Sequence, residues 1–311
     1  MKKALLATTA LVLSAGVAAA DVTISGYGRT GIIYYEDPIA DKETQVVSRL
    51  RMNIDASTET DAGVEFGARF RLQWDQGEED THANPGKLWI SAQGLTVEIG
   101  NVDTAMDSSS LIYATELGAF DRSVGFSAMV GDYYAYAAKS YGGEPDRVGV
   151  AVAYSFGDLN LRASVVNYDQ TIDGTDKEIG LLAEYTWEDR LELSAAYTKN
   201  AEGYDGEDLF FVGARYAVMD NARVGLNYVD ADDQSYGKTV ALYGDYTLAD
   251  GLTNIEAYVA NNDPSTGVTN VTDTAFGIGV NYDLGGARLG ASVQRDYDKL
   301  VTADMGVRFN F

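Results

Sequence analysis

The 311-residue chain contains no cysteine, one histidine and only four prolines. Without cysteine there is no disulfide framework, no thiolate metal site and no thiol nucleophile, so stability must come from the fold itself. The one histidine, His82, sits in the acidic stretch "GEEDTHANPG" and reads as a solvated loop residue. General-base hydrolysis commonly uses a histidine beside Ser or Asp, and nothing in the pattern supplies that pairing. Basic residues are scarce, 23 against 47 acids, for a formal net charge of −24. A chain so acidic has no basic face for nucleic acid. Long apolar runs are missing too: after residue 20 no stretch approaches the ~18 residues that a membrane-crossing helix requires.

The N-terminal stretch "MKKALLATTALVLSAGVAAA" stands apart. Lys2 and Lys3 form a positive head, Ala4 to Val17 an apolar body, and Ala18 to Ala20 a small-residue cleavage motif. This pattern predicts a signal peptide over 1–20, removed on export. Residues 21–311 show no linker, composition shift or low-complexity tract and read as one domain.

What is abundant is glycine (33) and tyrosine (21), a balance suited to strands and tight turns. From Asp146 onward apolar residues alternate with polar ones. Val148, Val150, Val152 and Tyr154 lead through "FGD" into Leu159, Leu161, Ala163 and Val165. The same rhythm recurs around "EDR", "MDN", "ADG" and "LGG", turn sequences of the kind hairpins use. The opposite connections, such as "DADDQSY" and "NDPSTGVTNVT", are longer and polar. Tyr154, Tyr185, Tyr216, Tyr246 and Tyr282 each close a strand before a short turn, on the apolar parity, as an interfacial girdle would.

The first half supplies strands near 21–35, 45–57, 63–74, 86–93 and 95–101, and the chain ends on the alternating "ADMGVRFNF". About sixteen strands are expected. The fold class that follows is an all-β, transmembrane antiparallel β-barrel, its last strand closing on "DVTISGYGRTGIIYY" so that no edge lies open in lipid. With the apolar parity facing lipid, Arg29, Arg49, Arg51, Arg69, Arg71, Arg162, Arg215, Arg223, Arg288 and Arg308 all face the other way. An arginine in lipid costs about 2–4 kcal/mol at the midplane, so these point into a wet lumen. The first five come from three consecutive strands and should share one wall. Between Asn101 and Arg147 the hairpin rhythm breaks for a stretch too long for an ordinary connection.

These segments, with "SRLRMNI", "TDAGVEFGARFRL", "YSFGDLNL" and "NYDLGGARLGASV", resemble general diffusion porins of Gram-negative bacteria, of the alphaproteobacterial type. The resemblance samples the whole of 21–311. It implies an outer-membrane, water-filled channel for ions and small hydrophilic solutes, sixteen strands, a homotrimer, and contact with outer-membrane lipid and lipopolysaccharide. It also implies a third loop folded inward, carrying Asp103, Asp107, Glu116, Asp121 and Asp132 toward the wall formed by Arg29, Arg49, Arg51, Arg69 and Arg71. Phe309 and Phe311 would be the signal that the barrel-assembly machinery reads. Two departures stand out: the loop has no Pro-Glu-Phe-Gly segment, and Asn101 occupies a position where many relatives carry Arg. The alternative is a substrate-selective channel, for example for sugars, which would show a slide of lumenal aromatics; most strand aromatics here lie on the lipid parity. No catalytic residues and no required cofactor are expected. The runs "EED" (78–80) and "DADD" (230–233) are either Ca²⁺ carboxylates or plain solvated acids.

Overall fold

The computed structural model describes residues 21–36, 42–77, 82–115, 117–120, 128–130, 147–171, 173–174, 176–231, 237–265 and 270–311. Sixteen strands alternate up and down: β1 (Asp21–Tyr35), β2 (Thr44–Glu59), β3 (Glu65–Asp75), β4 (His82–Ala92), β5 (Leu95–Gly100), β6 (Val148–Phe156), β7 (Leu159–Asn167) and β8 (Glu178–Trp187). Then follow β9 (Leu191–Lys199), β10 (Leu209–Met219), β11 (Ala222–Ala231), β12 (Gly237–Thr247), β13 (Thr253–Asp263), β14 (Thr274–Asp283), β15 (Ala287–Arg295) and β16 (Val301–Asn310). Each pairs antiparallel with its sequence neighbours, and β1 pairs with β16, so the sheet is a closed barrel.

Alternation decides which way each side chain points. Outward go Leu181, Leu193, Val212, Leu226, Leu242, Ile278 and Met305, all largely exposed on a surface that lipid would cover. Inward go Ser164, Ser194, Asn227, Asn281 and Asp304, all buried. The expected tyrosines lie on the outer face beside the short turns, and Arg190 stacks on Tyr216 with its guanidinium 5.6 Å from the ring centre. The turns use the predicted residues: Gly157, Gly251 and Gly285 take positive φ, and so do Glu188 and Asp189 in the β8–β9 hairpin.

One strand differs from expectation. β4 begins at His82 rather than near 86. The reason is a bulge: Arg69 pairs with Lys87 and Arg71 with Asn84, so Phe70 alone opposes Pro85 and Gly86. Pro and Gly read as a break in the sequence, yet a bulge accommodates the missing donor and the strand continues past it.

The seam is closed by backbone bonds in both directions. Gly26 N–H donates to the Phe311 carbonyl at 2.9 Å, and Phe311 N–H to the Gly26 carbonyl at 3.0 Å. The Phe309 ring lies over Gly28, where a Cβ would come within 2.4 Å of it. Deleting Phe311 removes both closing bonds at the end of the seam, each worth about 1 kcal/mol in water and more in lipid. The truncated chain should therefore give a markedly lower yield of folded, heat-modifiable barrel on gels; an unchanged yield would show that the seam end contributes little.

Candidate functional site

The register between strands assembles a feature that no single segment contains. Arg288 lies opposite Arg308, Arg308 opposite Arg29, Arg29 opposite Arg49, and Arg49 opposite Asp75. Four arginines on four adjacent strands thus form one interior row ending at a carboxylate. Like charges directly across a strand pair are destabilising, so the row needs compensation. Arg49 is ion-paired to Asp75 and also hydrogen-bonds Tyr27. Tyr27 sits in the middle of the group, with Arg308, Arg51 and Arg29 at 4.5, 5.3 and 6.0 Å from its ring centre. Phe120 from the long loop also packs on Arg29, whose guanidinium lies 5.4 Å from its ring centre. Aromatic faces attract cations by their quadrupole and add no charge to the lumen. Tyr27 and Arg308 are therefore part of the site, and the sequence signal for Tyr27 was an aromatic on the arginine parity of β1.

Further along the same wall, Arg51 donates to Gln73 at 2.7 Å and Arg71 to Asn53 at 3.0 Å. Arg69 makes a bidentate pair with Asp55 at 2.7 and 3.1 Å. Lys87 pairs with Glu98 at 2.8 Å, and Arg162 is ion-paired to the same carboxylate. All five expected arginines thus lie on one wall, β1 to β3. Among the described residues, the carboxylates bonded to them belong to the wall itself, Asp55 and Asp75.

The segment after β5 turns into the barrel and runs along the inner face from β7 to β16. Ala105 N–H donates to Ser164 Oγ on β7 at 2.9 Å, and the Ser109 and Ser194 hydroxyls bond at 2.8 Å on β9. Asn227 Nδ2 on β11 donates to the Leu111 carbonyl at 2.7 Å, and Ala119 N–H to Asp304 Oδ1 on β16 at 2.7 Å. Between these bonds Met106, Leu111, Ile112 and Val130 pack on Leu182, Ala196, Phe211 and Val229. Close approach requires small residues beneath: a Cβ on Gly290 would meet the Gly118 backbone at 2.6 Å. The interior aromatics Phe211, Tyr243 and Tyr258 lie buried in these contacts rather than along a solute path.

The loop acids fall into two groups. Asp103 Oδ2 lies 3.4 Å from Lys87 Nζ, and its carbonyl accepts from Arg162 at 2.8 Å. Asp107 accepts from the Tyr113 hydroxyl at 2.5 Å. Burial pushes the Asp107 carboxyl up to about 6, with Asp103 adding to the rise, while Tyr113, Arg147 and Arg71 hold it back. Glu116, Asp121 and Asp132 lie outside the described residues, as do 78–80 and 232–233 of the two acidic runs. Among the described residues no group of three or more His, Cys, Asp or Glu side chains is placed to hold a metal ion.

A closed sixteen-strand barrel with an apolar exterior, a charged lumen and a loop folded inside it is an outer-membrane channel of the porin class. Comparison with known proteins agrees. The family model for Gram-negative porin matches residues 7–305. A porin of Fuscovulum blasticum is 40% identical over 299 residues, covering 94% of this chain and 100% of that protein. A porin of Rhodobacter capsulatus is 28% identical over 336 residues, with 94% and 100% covered. The solved structure of a substituted Rhodopseudomonas blastica porin superposes with TM-score 0.84 at 40% identity, over 93% of this chain and 100% of the other. The chain belongs to the Gram-negative porin family.

Asp107 gives the lumen a titratable charge near neutrality. Its raised pKa means the carboxylate is charged above about 6 and protonated below. As pH falls through that value the loop side loses one negative charge, so cation preference should drop. Reversal potentials in a salt gradient, measured across that pH window, should show the step, and Asp107→Asn should abolish it while keeping the low-pH value. The same step in the variant would assign the titration elsewhere.

Proposed function

We propose that the protein conducts ions and small hydrophilic solutes passively, without covalent chemistry and without a bound cofactor, through an eyelet between the β1–β3 wall and the loop. The observation that carries this reading is the charge layout of the lumen: cations line β1 to β4, and the inward-folded loop brings Asp103 beside Lys87 and Asp107 within electrostatic range of Arg71. Opposed charges across a narrow wet gap create a transverse field, and the low-dielectric wall focuses it. Solutes are then sorted by size and charge rather than by stereochemistry.

Two measurements test the reading. In liposome swelling, rates for uncharged sugars should fall smoothly with size and be equal for isomers of one mass; discrimination among isomers would favour the sugar-selective alternative. In planar bilayers, Arg49→Ala with Arg51→Ala should raise conductance and shift selectivity toward cations. Each lost charge is worth about 0.6 kcal/mol at ~7 Å in water, so two give a several-fold change in permeability ratio. Freeing Asp75 from Arg49 acts in the same direction. An unchanged reversal potential would mean that these arginines do not set the field.

The assembly we propose is a homotrimer in the outer membrane, exported with loss of residues 1–20 and folded by the barrel-assembly machinery through Phe309 and Phe311. Lipopolysaccharide and lipid would surround the free outer face. The aromatic girdle supports a protein-covered sector. Tyr154, Trp187, Tyr216, Tyr246 and Tyr282 mark the short-turn end of β6 to β14, while the short-turn ends of β1 to β5 present no outward Tyr or Trp. In that same sector Thr30 and Ser48 form a hydroxyl pair at 2.7 Å on the outer face. Polar pairs are better placed against protein than against lipid. Native mass measurement in mild detergent should give three copies, and a monomer would refute the arrangement.

A further inference from the structure

The bulge at Pro85 and Gly86 does more than extend β4. Beside it the wall holds a small, open recess lined by Arg69, Arg71, Asn84, Pro85, Lys87, Asn101 and Asp103. Bulges commonly re-aim side chains beside functional sites. Here the register break brings Asn84 opposite Arg71 and Lys87 opposite Arg69, so cations from two strands face one cavity. Its floor is fixed: Asn101 N–H donates to the Gly86 carbonyl at 3.0 Å, and Arg147 donates to Asn101 Oδ1 at 2.8 Å.

Three of the seven lining side chains are cationic and one is anionic. The cations are not equally compensated. Arg69 is held by Asp55, and Lys87 by Glu98 and Asp103. Arg71 donates to Asn53, a neutral amide, and among the described residues no carboxylate is bonded to it, though Asp107 lies within electrostatic range. A guanidinium is a planar fork that matches two oxygens of a carboxylate or phosphate at once. Arg69 keeps its side chain 36% exposed while paired to Asp55, so its charge reaches the recess.

We infer that this recess is a binding subsite for small multivalent oxyanions, of which inorganic phosphate is the simplest, with Arg71 as the principal contact and Lys87 and Arg69 completing the charge. This deepens the porin reading and rests on it: the recess lies on the lumenal wall, so an oxyanion held there would stand in the conduction path. Asp103 limits the affinity by repulsion, which keeps the subsite weak enough for solutes to leave. Conduction through a channel requires that balance between entry and release.

The test uses single channels of the full-length mature protein in planar bilayers with potassium chloride on both sides. Added potassium phosphate at neutral pH should reduce chloride current in a saturable way. Arg71→Gln should raise the phosphate concentration for half-block about tenfold, the equivalent of one lost charge-assisted fork. Asp103→Asn should lower it, an effect of opposite sign that misfolding would not produce. Arg190→Gln, in a turn at the barrel end, should leave it unchanged. A wild-type current that follows bulk conductivity with no saturation overturns the subsite while leaving the porin reading intact. Equal half-block in wild type and Arg71→Gln overturns it as well. Absence of any chloride conductance would instead strike the porin reading.

Discussion

In hydrocarbon every backbone N–H and C=O must find a partner within the protein, and that constraint shapes the whole molecule. A sheet with an open edge fails it, so β1 has to reach β16 across the full length of the sequence. The seam from Tyr27–Asn310 to Tyr35–Thr302 does this, with Gly26 and Phe311 continuing it by reciprocal backbone bonds. Closure has an electrostatic consequence. It brings Arg308 of the last strand beside Arg29 of the first, and so creates the interior row of arginines. The charge pattern of the lumen follows from how the barrel closes.

The two halves of the lumenal wall solve different problems. From β7 round to β16 small and hydroxyl side chains lie among paired charges such as Arg215–Glu192, and the loop after β5 settles on this face through hydrogen bonds and apolar contacts. On β1 to β4 the interior carries dense charge, held by Asp55, Asp75, Glu98 and the ring of Tyr27. The loop packed inside the barrel and the charged wall of β1 to β4 are the parts from which the proposed eyelet is built. The described part of the loop is held by small anchors distributed over the barrel: Ser164, Ser194, Asn227 and Asp304 each bond a different point of it.

Much of this was legible in the amino-acid sequence because a strand that faces lipid on one side and water on the other advertises itself by parity. The strand number, the tyrosines beside short turns and the inward direction of the arginines all follow from period-two patterning. What parity cannot express is register between strands distant in sequence. The row Arg288–Arg308–Arg29–Arg49 needs the offset of three strand pairs, and the role of Tyr27 depends on that same offset. The start of β4 was hidden because Pro85 and Gly86 resemble a turn until the partner strand shows a bulge. The loop's anchors were equally silent: a serine on a polar parity looks like any lumenal residue until a backbone amide lies against it.

The central claim is a wet, open pore rather than a plugged barrel, and single-channel conductance in planar bilayers tests it most directly. Conductance in chloride salts of lithium, sodium, potassium and rubidium should appear as discrete steps that scale with the bulk conductivity of each solution, because ions in a water-filled pore keep most of their hydration. Steps that fail to follow bulk conductivity, or no steps from folded barrel, would contradict the account.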